Sequence, residues 1–188
     1  MKNLSVICAG YIGGDQGDHQ NYQNRLRLHA PTPVKNFNIT AEDYGDIMFR
    51  FLFDDKEAYL DAAIGANVTN DIIHWLESIS LGYYETLFLI DEEGPLTMLR
   101  YQTDRDTNIG RFSILSSDGS EEICKTFKET GETQIICDIL ISAKEFVEKF
   151  WEALDSTLQK ISDDRFESIN AHAPIRTSEI IKKFLTTK

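Results

Sequence analysis

Apolar residues recur along the chain with two different periods, and the switches between them mark out its elements. Leu4-Ser5-Val6-Ile7-Cys8-Ala9-Gly10 is a continuous apolar run of strand length and reads as a buried strand. Residues 13–33 read as irregular: Gly13, Gly14, Gly17, Pro31 and Pro33 punctuate a polar stretch rich in Asn and Gln. Within it Leu26 and Leu28 alternate with Arg25 and Arg27, the pattern of a short strand. From Ile47 to Phe53 the chain reads Ile-Met-Phe-Arg-Phe-Leu-Phe, a strong strand with one charge, and Asp54-Asp55-Lys56 turns it.

The period then changes to that of a helix. Val68, Ile72, Trp75, Leu76 and Ile79 share one face of a helix over Val68 to Leu81, with Asn70 as its expected N-cap, Asp71 in its first turn and Gly82 at its C-terminal end. A second helix opens on the capping box Ser142-Ala143-Lys144-Glu145 and carries Phe146, Phe150, Trp151, Leu154, Leu158 and Ile161 on one face. A third is expected within residues 177–186, after Pro174, with Ser178 as cap and Lys182, Lys183 and Lys188 toward its C-terminal end.

Five strand candidates lie between the first two helices: Thr86–Ile90, Leu96–Gln102, Arg111–Ser116, Ile123–Lys128 and Gln134–Ile141. Their connections are short. Asp91-Glu92-Glu93-Gly94-Pro95 and Ser117-Asp118-Gly119-Ser120 are turn sequences, and Gly131 marks another. Short turns join antiparallel neighbours, because parallel ones need long crossovers. The expected fold is therefore α+β: an antiparallel β-meander of about five to six strands with helices packed on one face, in a single globular domain spanning residues 1–188.

Composition supports a packed core, with 41% hydrophobic residues in 188. Charge adds more. Residues 41–95 hold 13 Asp and Glu against only Arg50 and Lys56, which is nearly all of the chain's net charge of −12. A concentrated field of one sign steers a basic partner and repels nucleic acid. No apolar run approaches membrane-spanning length, and the N-terminal apolar stretch is at the lower limit for a signal peptide and lacks a clear cleavage site. A cytoplasmic protein is the expectation. Cys8, Cys124 and Cys137 are widely spaced and flanked by apolar residues. Buried free thiols in a reducing compartment fit best, with a Cys124–Cys137 disulfide as the alternative.

No motif dictates a chemistry. Gly10-Tyr11-Ile12-Gly13-Gly14 is followed by Asp15-Gln16-Gly17-Asp18, without a helix signal and with negative charge where a phosphate would sit, so it is a loop rather than a dinucleotide cradle. Asp15, Asp18 and His19 are close in sequence but lack a second ligand set. Asp104-Arg105-Asp106-Thr107-Asn108-Ile109-Gly110 departs from a calcium loop twice: its glycine comes one residue late, and Leu115 stands where a bidentate Glu belongs. The histidines His19, His29, His74 and His172 do not pair at metal spacing, and His74 reads as a helix-surface or core-edge residue. Neither a nucleophile elbow nor an activated cysteine is present. Catalytic residues, metal ligands and a cofactor are thus not expected.

The acidic turns remain. Asp54 and Asp55, with Glu57 and Asp61 beyond them, and Asp91, Glu92 and Glu93 are the expected partner-binding residues. The two clusters meet at one rim if the strands ending at Phe53 and Ile90 are parallel neighbours and separate if these are antiparallel. Solvated turn residues are the plainer reading of both. Tyr83, Tyr84 and Tyr101 are either anchors for a partner or ordinary core-edge residues.

These features point to a binding protein that neutralises a basic partner, such as a nuclease whose own surface must hold phosphates. The alternatives are a small hydrolase-type enzyme using paired carboxylates as acid and base, and an adaptor subunit of a larger assembly. The run Ile72-Ile73-His74-Trp75-Leu76-Glu77-Ser78-Ile79 through Ile90-Asp91-Glu92-Glu93-Gly94, together with size and acidity, resembles the immunity proteins of bacterial contact-dependent inhibition and related polymorphic toxin systems. That resemblance is one of layout and covers about one quarter of the chain. It implies a dedicated toxin as partner, and it assigns no residue a role.

Overall fold

The computed structural model describes residues 4–9, 32–33, 35–43, 47–54, 56–62, 68–91, 96–103, 109–117, 134–160 and 177–187. They form nine strands and three helices: β1 (Leu4–Ala9), β2 (Thr32–Pro33), β3 (Phe37–Asp43), β4 (Ile47–Phe53), β5 (Lys56–Ala62), α1 (Val68–Ser80), β6 (Glu85–Asp91), β7 (Leu96–Thr103), β8 (Ile109–Ser117), β9 (Gln134–Ser142), α2 (Ala143–Leu158) and α3 (Glu179–Thr186). The α+β class expected from the sequence is the class observed. The irregular segment 13–33 apart from β2, the Leu26–Leu28 strand, the candidate Ile123–Lys128, the glycine-rich loop after Ala9, the Asp15-Asp18-His19 group and residues 104–108 lie outside the described residues.

The strands divide between two sheets, which corrects the single meander. The larger has the order β1-β6-β7-β8-β9-β2. Only β6 to β9 form the antiparallel meander, four strands rather than five to six among the described residues. Both flanking strands join in parallel, Leu4 opposite Glu85 in β1 and Thr32 opposite Ile139 in β2. A long crossover makes this possible: the small sheet and α1 occupy the chain between β1 and β6. The small sheet has the order β3-β4-β5, antiparallel throughout. Its period-two burial is clearest in β4, where Ile47, Phe49, Phe51 and Phe53 face inward.

The helices begin and end for local reasons. α1 starts at Val68, so Asn70 lies buried in its first turn instead of capping it. Its end follows the glycine expectation: Gly82 has φ of 74°, its N–H donates to the Ile79 carbonyl at 2.9 Å, and the Tyr83 N–H donates to that of Ser78 at 3.3 Å. Only a residue without Cβ takes that conformation freely. Ser142 caps α2 by accepting the Glu145 N–H at 3.2 Å, and Ser178 caps α3 by accepting that of Ile181 at 3.2 Å.

One hydrophobic core draws on both sheets and all three helices. At its centre Phe146 of α2 stacks on Tyr101 (centroids 5.1 Å apart) and tilts against Phe112 (4.6 Å), while Phe150 meets Phe49 (4.9 Å) and Phe51 (5.8 Å). Trp75 of α1 stacks on Phe88. The helices therefore cover one face of the large sheet, as expected, but the small sheet shares that face, with Phe51 and Phe37 reaching Phe112. Aromatic pairs at these separations add to simple burial.

Candidate interaction surface

Two acids of the acidic segment, Glu42 and Glu57, meet solvent on the outward face of the small sheet. Residues 37–62 carry seven Asp and Glu against Arg50 and Lys56. Because side chains alternate along a strand, the residues between the buried phenylalanines point away from the core. Register aligns them in three rows: Asn38–Leu52–Glu57, Thr40–Arg50–Tyr59 and Glu42–Met48. Asn38, Thr40, Glu42, Arg50, Glu57 and Tyr59 are exposed, and Leu52 and Met48 are half-buried between them.

Arg50, Glu57 and Tyr59 form one cluster at the middle of this face. The Arg50 guanidinium donates through Nε (3.0 Å) and Nη2 to a single oxygen of Glu57, Oε2. Its carbon lies 5.8 Å from the centre of the Tyr59 ring. The guanidinium, aided by Tyr59, holds the Glu57 carboxyl below the usual range, and hydrogen bonding and charge from Glu57 raise Arg50. Arg50 and Glu57 remain 47% and 45% exposed, so solvent screens the pair and it adds little to stability. Tyr59 is 51% exposed.

The other expected partner-binding residues are placed differently. Asp54 occupies the two-residue connection between β4 and β5 with φ of 53°, a left-handed conformation that Asp tolerates. Its Oδ1 accepts the backbone N–H groups of Lys35 and Asn36, each at 3.0 Å. Asp54 thus ties the β4–β5 connection to the segment that leads into β3. Asp61 falls in β5 opposite Met48, and Asp91 ends β6 opposite Leu96. Asp55, Glu92 and Glu93 lie outside the described residues. The strands ending at Phe53 and Ile90 are not neighbours of either sense, because β4 and β6 belong to different sheets.

Several of the remaining acids in residues 41–95 are engaged internally. Glu77 accepts from Ser178 at 2.7 Å through Oε1 and lies 3.0 Å from His74 Nδ1 through Oε2, which ties α3 to α1. His74 is exposed, whereas Trp75 beside it is buried. Glu85 is buried on the other face of the large sheet, where it pairs with Arg100 (Nε to Oε1, 2.5 Å), the two being 5% and 1% exposed. On the same face Arg111 pairs with Asp138 (Nε to Oδ1, 2.7 Å), whose Oδ1 also accepts from Ser113 at 3.0 Å. The two ion pairs run diagonally across neighbouring strands, linking β6 to β7 and β8 to β9. Each carboxylate is matched to a guanidinium, the arrangement of a structural pair.

Cys137 is a buried free thiol, so it makes no disulfide with Cys124, which lies outside the described residues. Burial and the neighbouring Asp138 push it up to about 12, far from a nucleophile's range. Tyr101 is wholly buried and Tyr84 partly exposed. Among the described residues no group of His, Cys, Asp and Glu is arranged to hold a metal ion, and no helix is long and apolar enough to cross a membrane.

Tyr59 and Arg50 were not among the residues expected to bind. Their signal is the alternation Glu57-Ala58-Tyr59-Leu60, in which buried Ala58 and Leu60 separate exposed Glu57 and Tyr59. Comparison with family models, with curated proteins and with solved structures returns no match.

Proposed function

We propose that this protein is an acidic binding protein that neutralises a basic protein partner, in the manner of an immunity protein that occludes the active surface of a cognate toxin. The observation that supports it is the outward face of the small sheet. An exposed tyrosine sits there among half-buried aliphatic side chains, within the segment that accounts for nearly all of the chain's net negative charge. Aromatic anchors supply affinity at protein interfaces, and a surrounding field of opposite sign speeds encounter. A basic nuclease suits such a surface, since its substrate-binding face is positive by necessity. The enzyme alternative has less to stand on: the buried carboxylates of Glu85 and Asp138 are both engaged by arginines.

Co-expression with the product of the adjacent open reading frame, followed by purification at low and high salt, tests this reading. A stoichiometric complex with a basic protein is expected, with association slowing as salt rises. A protein that recovers no basic partner and runs as a monomer would redirect attention to a substrate screen.

A further inference from the structure

We propose, resting on the reading above, that the outward face of the small sheet is the contact surface for the basic partner and that it selects arginine over lysine: the Glu57 carboxylate and the Tyr59 ring form a seat for a guanidinium, filled by Arg50 in the free protein and taken over by an arginine of the partner.

The seat is visible because a guanidinium already occupies it. Arg50 meets Glu57 through Nε and Nη2 and lies over the Tyr59 ring. Register sets Arg50 opposite Tyr59 and diagonal to Glu57, but its side chain stays exposed there. Glu57 and Tyr59 are two apart on β5, so they share a face by the strand period alone, and both are open to solvent. Displacing Arg50 is inexpensive, because an ion pair this exposed is worth little in water.

The surroundings specify the partner's chemistry. Residues 37–62 carry seven acids against two bases, and of these acids Glu42 and Glu57 stand exposed on this face, so a cationic group is favoured there. Leu52 and Met48 flank Arg50 and are half-buried, which suits the apolar stem of a long side chain beside its charged head. A guanidinium stacks on an aromatic face and grips a carboxylate with two donors, whereas an ammonium is a compact, strongly hydrated point charge. The seat therefore discriminates between two cations that the acidic field alone treats alike.

Oligo-arginine and oligo-lysine peptides of equal length, titrated into the full chain and followed by fluorescence anisotropy over a salt series, test this. The arginine peptide is expected to bind tighter by about two- to five-fold, the range of one exposed cation–π contact. Tyr59→Leu and Glu57→Gln should each abolish the preference, Arg50→Ala should widen it, and Glu152→Lys on exposed α2 surface should leave the ratio unchanged. Equal affinity for the two peptides, or a preference that survives both Tyr59→Leu and Glu57→Gln, would overturn the seat while salt-dependent binding kept the basic-partner reading. Failure of both peptides to bind at low salt would overturn the two together.

Discussion

Tyr101 lies across Gly110, and its hydroxyl reaches over the glycine to donate to the Ile141 carbonyl at 2.9 Å. The ring thereby spans three strands from β7 over β8 to β9. A Cβ at position 110 would fall well inside van der Waals contact of the phenol, so the absence of a side chain there is what lets the ring lie down. Gly110→Ala is expected to destabilise the fold by about 3 kcal/mol through overpacking. Tyr101→Phe, which keeps the ring and loses one buried hydrogen bond, should cost only about 1–2 kcal/mol. Urea denaturation of the two variants checks the order.

The Glu85–Arg100 pair is almost fully buried, and removing one member strands the other. Arg100→Met or Glu85→Leu alone should cost about 3–5 kcal/mol, whereas the double replacement should come much closer to the parent, because the apolar pair avoids desolvating two ions. A double-mutant cycle by thermal unfolding measures this coupling.

Alkaline pH should unfold the protein, and the sign follows from burial. Cys137 is pushed up to about 12 from an ordinary 9.0, and burial also raises Tyr101 well above its ordinary 10.0. Both groups hold their protons longer in the native state than in the unfolded chain. Their contribution is complete below the unfolded values and is lost as pH rises from about 9 toward 12 and beyond. Stability measured from pH 7 to 11 should decline most steeply above pH 10. Cys137→Ala should remove the earliest part of that decline relative to the parent.

Ser178 has two tasks: it accepts the Ile181 N–H at the start of α3 and donates to Glu77 of α1. Ser178→Ala removes both, at an expected cost of about 1–2 kcal/mol for a lost cap with a half-buried acceptor. Hydrogen exchange should show the loss in α3, with protection falling at Ile181 and neighbouring amides while β7 and β8 stay protected.

Elements whose own residues announce them were legible from sequence: the amphipathic helices with serine caps, the strand Ile47–Phe53, and the strands joined by short turns. What escaped was set by partners distant in the chain. Phe37-Asn38-Ile39-Thr40-Ala41 alternates correctly for a strand, yet β3 takes its place from β4 beside it and from α2, whose Thr157 hydroxyl donates to the Ala41 carbonyl at 2.8 Å. β5 offers only Ala58 and Leu60 as plainly inward residues, too few to mark a strand by alternation alone. The acidic run behaved similarly. Charge counted along the chain cannot separate Glu85, buried against Arg100, from Glu42 in solvent, because the difference depends on a strand fifteen residues away. Tyr59 became visible as a candidate only when its strand acquired an outward face.

The parallel pairing of β1 with β6 also has a consequence for synthesis. Leu4 leaves the ribosome well before its partner Glu85. The small sheet is built of adjacent strands with local register, so it can form while β1 still waits. Its inward face, with Phe49 and Phe51, is then not fully covered until Phe150 has been made. For that interval the nascent chain presents an aromatic surface with incomplete native cover. Its yield in cells should therefore depend on chaperone supply more than its final stability would indicate.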